Sequence, residues 1–281
     1  MALGGNPVFA NNKNFKEVPA SQRGYAPAGT DTMPGAAQLS AQQLQDLYNK
    51  PSANGAQTGR LTYDDVIMKT VFTLSLVLVG AALGWFIPVL LFPGMIVGLV
   101  LGLVNSFKKQ PSPALILCYA LFEGMFLGGL SGMLEGVYPG IVVQAVLGTL
   151  SVFLVTLVLF RNAKVRATPK MTRFFIIALA GYALFSLINF ALVIFNVTST
   201  PWGINGMDIP GTNIPFGVVI GLLAIGLAAF SLIVDFTSIE KGVQNGLPAK
   251  YSWTAAFGLT VTLVWLYVEI LRLLAILRGN N

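Results

Sequence analysis

Seven long apolar segments leave this chain few ways to fold. They run over residues 66–87, 90–107, 112–134, 139–160, 172–196, 214–235 and 252–277. A bilayer crossing takes about 20 apolar residues. In lipid the backbone polar groups of each crossing must be satisfied internally, which in segments of this length means helices. Pro88 and Pro93, the turn Lys108-Lys109-Gln110-Pro111, and Glu135-Gly136 with Pro139 mark the first breaks. The basic loop 161–171, the polar loop 197–213 and the loop 236–251 mark the others. Charged residues make up only 10% of the chain, whereas a soluble domain carries about 25%. The expectation is an all-α membrane domain over 61–278 with seven transmembrane helices.

Residues 1–60 read differently. They are rich in Ala, Gly, Gln, Asn, Pro and Ser and poor in large aliphatics. Such a stretch cannot bury enough apolar surface to offset its ordering entropy, so it reads as a disordered tail. It has no apolar core of the kind a secretory signal needs. Residues 36–48 could form a short helix within it. Thr62 is placed to cap the first membrane helix, with Asp64 and Asp65 in its first turn, where carboxylates suit the helix dipole.

The connections alternate in charge. The tail (Lys13, Lys16, Arg23, Lys50, Arg60), Lys108 with Lys109, the loop with Arg161, Lys164, Arg166, Lys170 and Arg173, and the loop with Lys241 and Lys250 are cationic. The other three connections contain no Lys or Arg; their acids are Glu135 and Asp208. This positive-inside pattern puts the N-terminus in the cytoplasm and, after seven crossings, the C-terminus outside. Arg278 is a minor exception. The formal net charge of +6 is thereby assigned to membrane topology, not to nucleic-acid binding.

Several function classes drop out. Histidine is absent, which removes the commonest metal ligand and the usual near-neutral proton switch. The single cysteine, Cys118, lies in an apolar run and reads as a small buried hydrophobe. No phosphate-binding glycine loop, zinc spacing or nucleophile–base constellation is visible, so neither an enzyme nor a bound organic cofactor is expected. Gly124, Gly128, Gly129 and Gly132 read as a helix-packing face. Paired half-helix breaks of the kind secondary transporters use are lacking. The triplet Asn196-Val197-Thr198 forms a sequon at a predicted outer helix end, where glycosylation is not expected.

Four charged groups stand inside apolar segments: Glu123 in the third, Asp235 at the end of the sixth, Glu269 and Arg272 in the seventh. Ionisable groups in hydrocarbon are costly and normally face protein or water. Glu269 and Arg272 are three residues apart and share a helix face, so they can neutralise each other. Asp235 can lie at the interface, and Glu123 can be a carboxyl that ties two helices together. A sharper reading takes the acids jointly. Two carboxyls close together in low dielectric cannot both ionise easily, so such a pair can sense protons. Deprotonated, it offers oxygen ligands to a hard cation such as calcium. Asp235 and Glu269 are the best candidates, with Arg272, Lys108 and Lys109 as competing cations.

These same residues carry a family resemblance. Ile233-Val234-Asp235-Phe236-Thr237-Ser238-Ile239 resembles the Tyr-Asp-x-x-x-Ile element that ends the sixth helix of the Bax inhibitor-1 family. Leu266-Tyr267-Val268-Glu269 resembles the Leu-Tyr-Leu-Asp of its seventh helix. Phe122-Glu123-Gly124 with Leu127-Gly128 resembles a third-helix motif of many members. The tail and the ending from Trp265 look most like the actinobacterial branch. The resemblance covers roughly 62–278. It implies six helices around a central seventh, and a pH-dependent calcium leak gated by Asp235 and Glu269; in the reading from the carboxylates Glu123 would line the path. It also implies a cationic latch after the second helix, where this chain has Lys108 and Lys109 instead of Arg. Lysine lacks the bidentate fork. The second acid is Glu in place of Asp, and the interval from Asp235 to Glu269 is longer than usual in the family. The expected function is a proton-regulated cation leak in a bacterial plasma membrane, with calcium or protons as its ions. The competing expectation is a non-conducting protein whose tail is presented to a membrane-bound protease.

Overall fold

A computed structural model describes residues 59–162, 165–198 and 200–279. The expected disorder of 1–60 and the short helix over 36–48 therefore lie almost wholly outside the described residues. Seven helices follow: α1 (Tyr63–Phe86), α2 (Leu91–Phe107), α3 (Pro113–Val137), α4 (Ile141–Arg161), α5 (Pro169–Ile194), α6 (Phe216–Gln244) and α7 (Ser252–Gly279). All seven are long and apolar enough to cross a membrane, α2 together with the short 3-10 turn Pro88–Leu90 that precedes it. The protein is a multi-pass membrane protein. Thr62 caps α1 as expected, its Oγ1 accepting from the Asp65 N–H at 3.2 Å.

α7 is the most buried helix, and α5 the least. α7 packs against α6, α1, α4 and α3, while α1 and α2 each pack closely on α3. The α1–α3 seam is made by glycine. A Cβ built on Gly124 would stand 2.2 Å from the Val77 carbonyl oxygen, and one on Gly128 would stand 1.9 Å from that of Ala81. Gly80 and Gly84 approach α3 from the other side in the same way. In lipid, where apolar burial between helices brings little, such close backbone approach is the main source of association. Three of the four glycines expected to form the packing face, Gly124, Gly128 and Gly129, are buried, and Gly132 lies against Trp85. Cys118 is the exception to its expected burial: it is exposed on the outside of α3, where the bilayer would meet it.

The largest departure is α6. The sixth apolar segment stops at Asp235, but the helix continues nine residues further to Gln244. Polar residues do not end it because they are satisfied within it. Thr237 Oγ1 donates to the Ile233 carbonyl at 2.7 Å and Ser238 Oγ to that of Val234 at 2.8 Å. The true stop is Asn245-Gly246. Gly246 adopts φ +63°, the left-handed conformation glycine takes up without steric cost. Its N–H bonds the Val243 carbonyl at 3.0 Å, and the Leu247 N–H bonds that of Gly242 at 3.1 Å, a Schellman cap. The expected 236–251 loop thus shrinks to a tight turn. Residues 59–61 run beside this turn: Leu61 N–H donates to the Leu247 carbonyl at 2.6 Å and Ala249 N–H to that of Gly59 at 2.8 Å. The start of α1 is stitched to the α6–α7 turn.

α5 ends in the same cap. Asn196, at φ +51°, donates its N–H to the Val193 carbonyl at 3.1 Å, and Val197 donates to that of Leu192 at 3.0 Å. The sequon asparagine is therefore a helix-ending residue.

Candidate functional site

α6 and α7 form an antiparallel hairpin, and its register decides which groups meet. Asp235 lies nine residues before the end of α6, and Thr262 ten residues after the start of α7. They face each other: Thr262 Oγ1 donates to Asp235 Oδ2 at 2.6 Å. At 1.5 Å of rise per residue, both sit roughly 15 Å from the turn. Asp235 is therefore not at the end of its helix, as the apolar pattern implied, but nine residues inside it. It is fully buried, 0% exposed. All nine residues from Ser231 to Ile239 are buried, so α6 is enclosed on every side at this depth. Phe153 and Phe160 of α4 stack edgewise or tilted on Phe236 with centroids 6.0 and 5.4 Å apart, and Phe175 of α5 lies 5.0 Å from Phe230.

Glu269 follows Thr262 by seven residues, two turns along nearly the same face of α7. It has its own set of donors. Arg272 Nη2 bonds Glu269 Oε2 at 2.5 Å, Trp265 Nε1 donates to Oε1 at 3.1 Å, and the Tyr182 hydroxyl of α5 donates to Oε1 as well. Arg272 Nη2 also reaches the Tyr182 oxygen at 3.2 Å. The Tyr182 and Trp265 rings, 5.9 Å apart, border the group. Glu269 is 4% exposed, and a buried carboxylate held by three donors is a satisfied one.

Two contacts set α3 against α7, which run parallel. Tyr119 packs edgewise on Phe257 with centroids 5.0 Å apart, and the Ser131 and Tyr267 hydroxyls are 2.6 Å apart. That register puts Glu123 at about the depth of Thr262, hence of Asp235, but toward α2. A methyl group on Gly98 of α2 would come within 2.7 Å of Glu123 Oε2. Lys108 and Lys109 are exposed just past the end of α2. Arg272 engages Glu269, one of the acids of the expected site.

The sequence reading overlooked four participants. Thr262, Tyr182 and Trp265 are uncharged and carry no signal alone. The pairing of Asp235 with Thr262 follows only once both helix ends are known, Gln244 for α6 and Ser252 for α7. The fourth, Lys69, is a further charge within the first span. Its Nζ donates to Ser252 Oγ at the start of α7, lies 3.9 Å from Asp65 Oδ1 and sits 5.5 Å from the Trp253 ring centroid. The Asp65/Lys69 spacing of four was its signal.

A family sequence model described as Bax inhibitor 1 like matches residues 6–279. The chain belongs to the Bax inhibitor 1 like family. No curated protein matches it. In this Bax inhibitor 1 like chain, the acids of the three motifs fall on α3, α6 and α7, two of them at one depth. Among the described residues no group of three or more Asp, Glu, His or Cys side chains converges on a metal position. Calcium takes six to eight oxygen ligands. The Asp235 carboxylate and the Thr262 hydroxyl are two oxygen groups that meet across the α6–α7 seam.

Proposed function

We propose that the protein is a proton-responsive cation leak of the plasma membrane, permeable to calcium, with its N-terminus in the cytoplasm and its C-terminus outside. The observation that carries this reading is Asp235: a carboxyl fully buried nine residues inside α6, met across the α6–α7 seam by the Thr262 hydroxyl. Helix packing needs no carboxyl there, and an ionisable group at that depth is by default a functional one. The resemblance of the α6 and α7 motifs to the family's gating acids points the same way. In this reading Asp235 is the titrating gate. Glu269 is the second acid, held by Arg272 and Tyr182, and Glu123 lines the path at the depth of Asp235. Ionised, Asp235 offers a cation its carboxylate; protonated, it withdraws that charge. The cationic connections at the end of the bundle that holds the α6–α7 turn support a cytoplasmic position for that end under the positive-inside rule.

The test is calcium flux into proteoliposomes across a pH series. Asp235→Asn is expected to abolish the pH dependence, leaving a flat profile. Glu269→Gln is expected to shift the profile without flattening it. Unchanged flux and unchanged pH dependence in both variants would sink the reading.

A second reading rests on the family match beginning at residue 6, well inside the tail. There the tail engages a membrane-bound protease and no ion passes. Deleting residues 1–58 separates the two: flux survives under the first reading, protease modulation is lost under the second.

A further inference from the structure

α1 and α4 both pack on α3 and α7 but make little contact with each other. Between them lies a slot of about 510 Å³, at the half of the bundle remote from the cationic connections. Its walls include Leu78 and Phe86 of α1 and Val146 and Leu150 of α4, all exposed. Its floor is α3 and α7 at Leu127, Gly128 and Val264. The polar groups on that floor satisfy one another or their own helix: Ser131 bonds Tyr267 at 2.6 Å, and Thr149 Oγ1 donates to the Ala145 carbonyl at 2.7 Å. What remains is an apolar channel running from Leu74 to Phe86 along α1, about 18 Å at helical rise.

A second cavity of about 370 Å³ shares the Trp85 side chain with the slot and is bordered also by Pro88, Gly132, Met133 and Glu135. Glu135 was expected in the connection after the third span; it lies in the last turn of α3. Its two oxygens accept from the Gly140 N–H at 2.6 Å and the Val142 N–H at 3.0 Å, which fixes the carboxylate at the cavity wall. Arg278 binds the Pro139 carbonyl at 2.8 Å on the same turn. The apolar slot thus ends at an indole ring whose other neighbour cavity carries a carboxylate, the pair that suits an ammonium group, with a guanidinium on the same α3–α4 turn for a phosphate.

We propose that this slot is a binding site for one aminophospholipid. One acyl chain lies between α1 and α4, and the ammonium headgroup meets Trp85 and Glu135. The occupant follows from the surroundings: the slot opens sideways through side chains that would face the bilayer, so lipid is what adjoins it. The acid selects an ammonium over an anionic headgroup.

Native mass spectrometry of the full chain tests this, with phosphatidylethanolamine and phosphatidylglycerol of identical chains supplied at equal concentration. One retained phosphatidylethanolamine per protein is expected. The double variant Leu78→Phe, Val146→Phe narrows the slot at two exposed positions that leave the core intact. Each excluded methylene costs roughly fourfold in affinity, so retention of both lipids should fall about tenfold or more. Glu135→Gln keeps an acceptor for the α4 N-terminus; it should lower the preference for phosphatidylethanolamine roughly fivefold while the chain is still held. Unchanged thermal unfolding in lipid-free detergent shows that both variants fold. Retention unaffected by the narrowed slot would overturn the chain site. Equal retention of the two lipids by the native protein, or a preference unmoved by Glu135→Gln, would overturn the headgroup assignment.

Discussion

Gly128→Leu is expected to destabilise the protein by at least about 3 kcal/mol, at or above the upper end of the usual overpacking range, and to sharply reduce its folded yield. The reason lies in what surrounds the position. Even the first atom of a side chain there would stand 1.9 Å from the Ala81 carbonyl oxygen and 2.7 Å from the Ala81 Cα. Those neighbours are backbone, not the tip of a side chain that could swing away, so α1 and α3 must separate along their length. Separation also pulls apart Gly80 from Leu121 and Gly84 from Met125, which meet across the same seam. Gly136→Ala is the control. It lies on the same helix but has nothing within 4 Å of a built Cβ, so it should be neutral or stabilising by up to about 1 kcal/mol. Thermal unfolding of both variants in detergent decides the matter. A Gly128→Leu protein that melts with the native one would show that the α1–α3 seam is not what holds these helices together.

That seam illustrates what could be read from the chain alone. Segment length and mean apolarity mark a bilayer crossing however the helix is packed, so the seven spans were visible. Glycines four apart can only mean close approach or a break, and the apolar run excluded a break. Helix ends were harder. The sixth helix seemed to stop where apolarity stopped, because Thr237, Ser238, Glu240 and Lys241 resemble a loop by composition. The hydroxyls of Thr237 and Ser238 instead fold back on their own helix, and Arg166 meets Glu240 at 3.1 Å. With the end misplaced, so was the depth of Asp235. The acids themselves were legible, since a carboxyl stands out against an apolar span. Their partners were not: Thr262, Tyr182 and Trp265 look like ordinary span residues until the register of three helices is known.

Arg272→Met bears on whether Glu269 is part of the gate or a self-contained ion pair. Removing the guanidinium leaves a carboxylate that is 4% exposed, with only the Tyr182 hydroxyl and Trp265 Nε1 still directed at it. Breaking one side of a buried pair typically costs about 3–5 kcal/mol, because the remaining charge has lost its counter-charge but not its desolvation. In a domain of this size that corresponds to a fall in Tm of roughly 6–20 °C. Arg161→Met, at an exposed helix end, should change Tm little, and a similar response from both variants would show that the Glu269–Arg272 contact is not a buried pair. The double variant Glu269→Gln, Arg272→Met removes both charges, so it should recover most of the lost stability. Its ion flux then separates the two roles. If the pair only neutralises itself, the double variant folds and leaks with the native pH profile, and Asp235 acts alone. If Glu269 is the second acid, the double variant folds but its pH profile is displaced, as that of Glu269→Gln alone should be. The two acids then act together even though each is hydrogen-bonded by its own partners, Asp235 by Thr262 and Glu269 two turns further along the same helix.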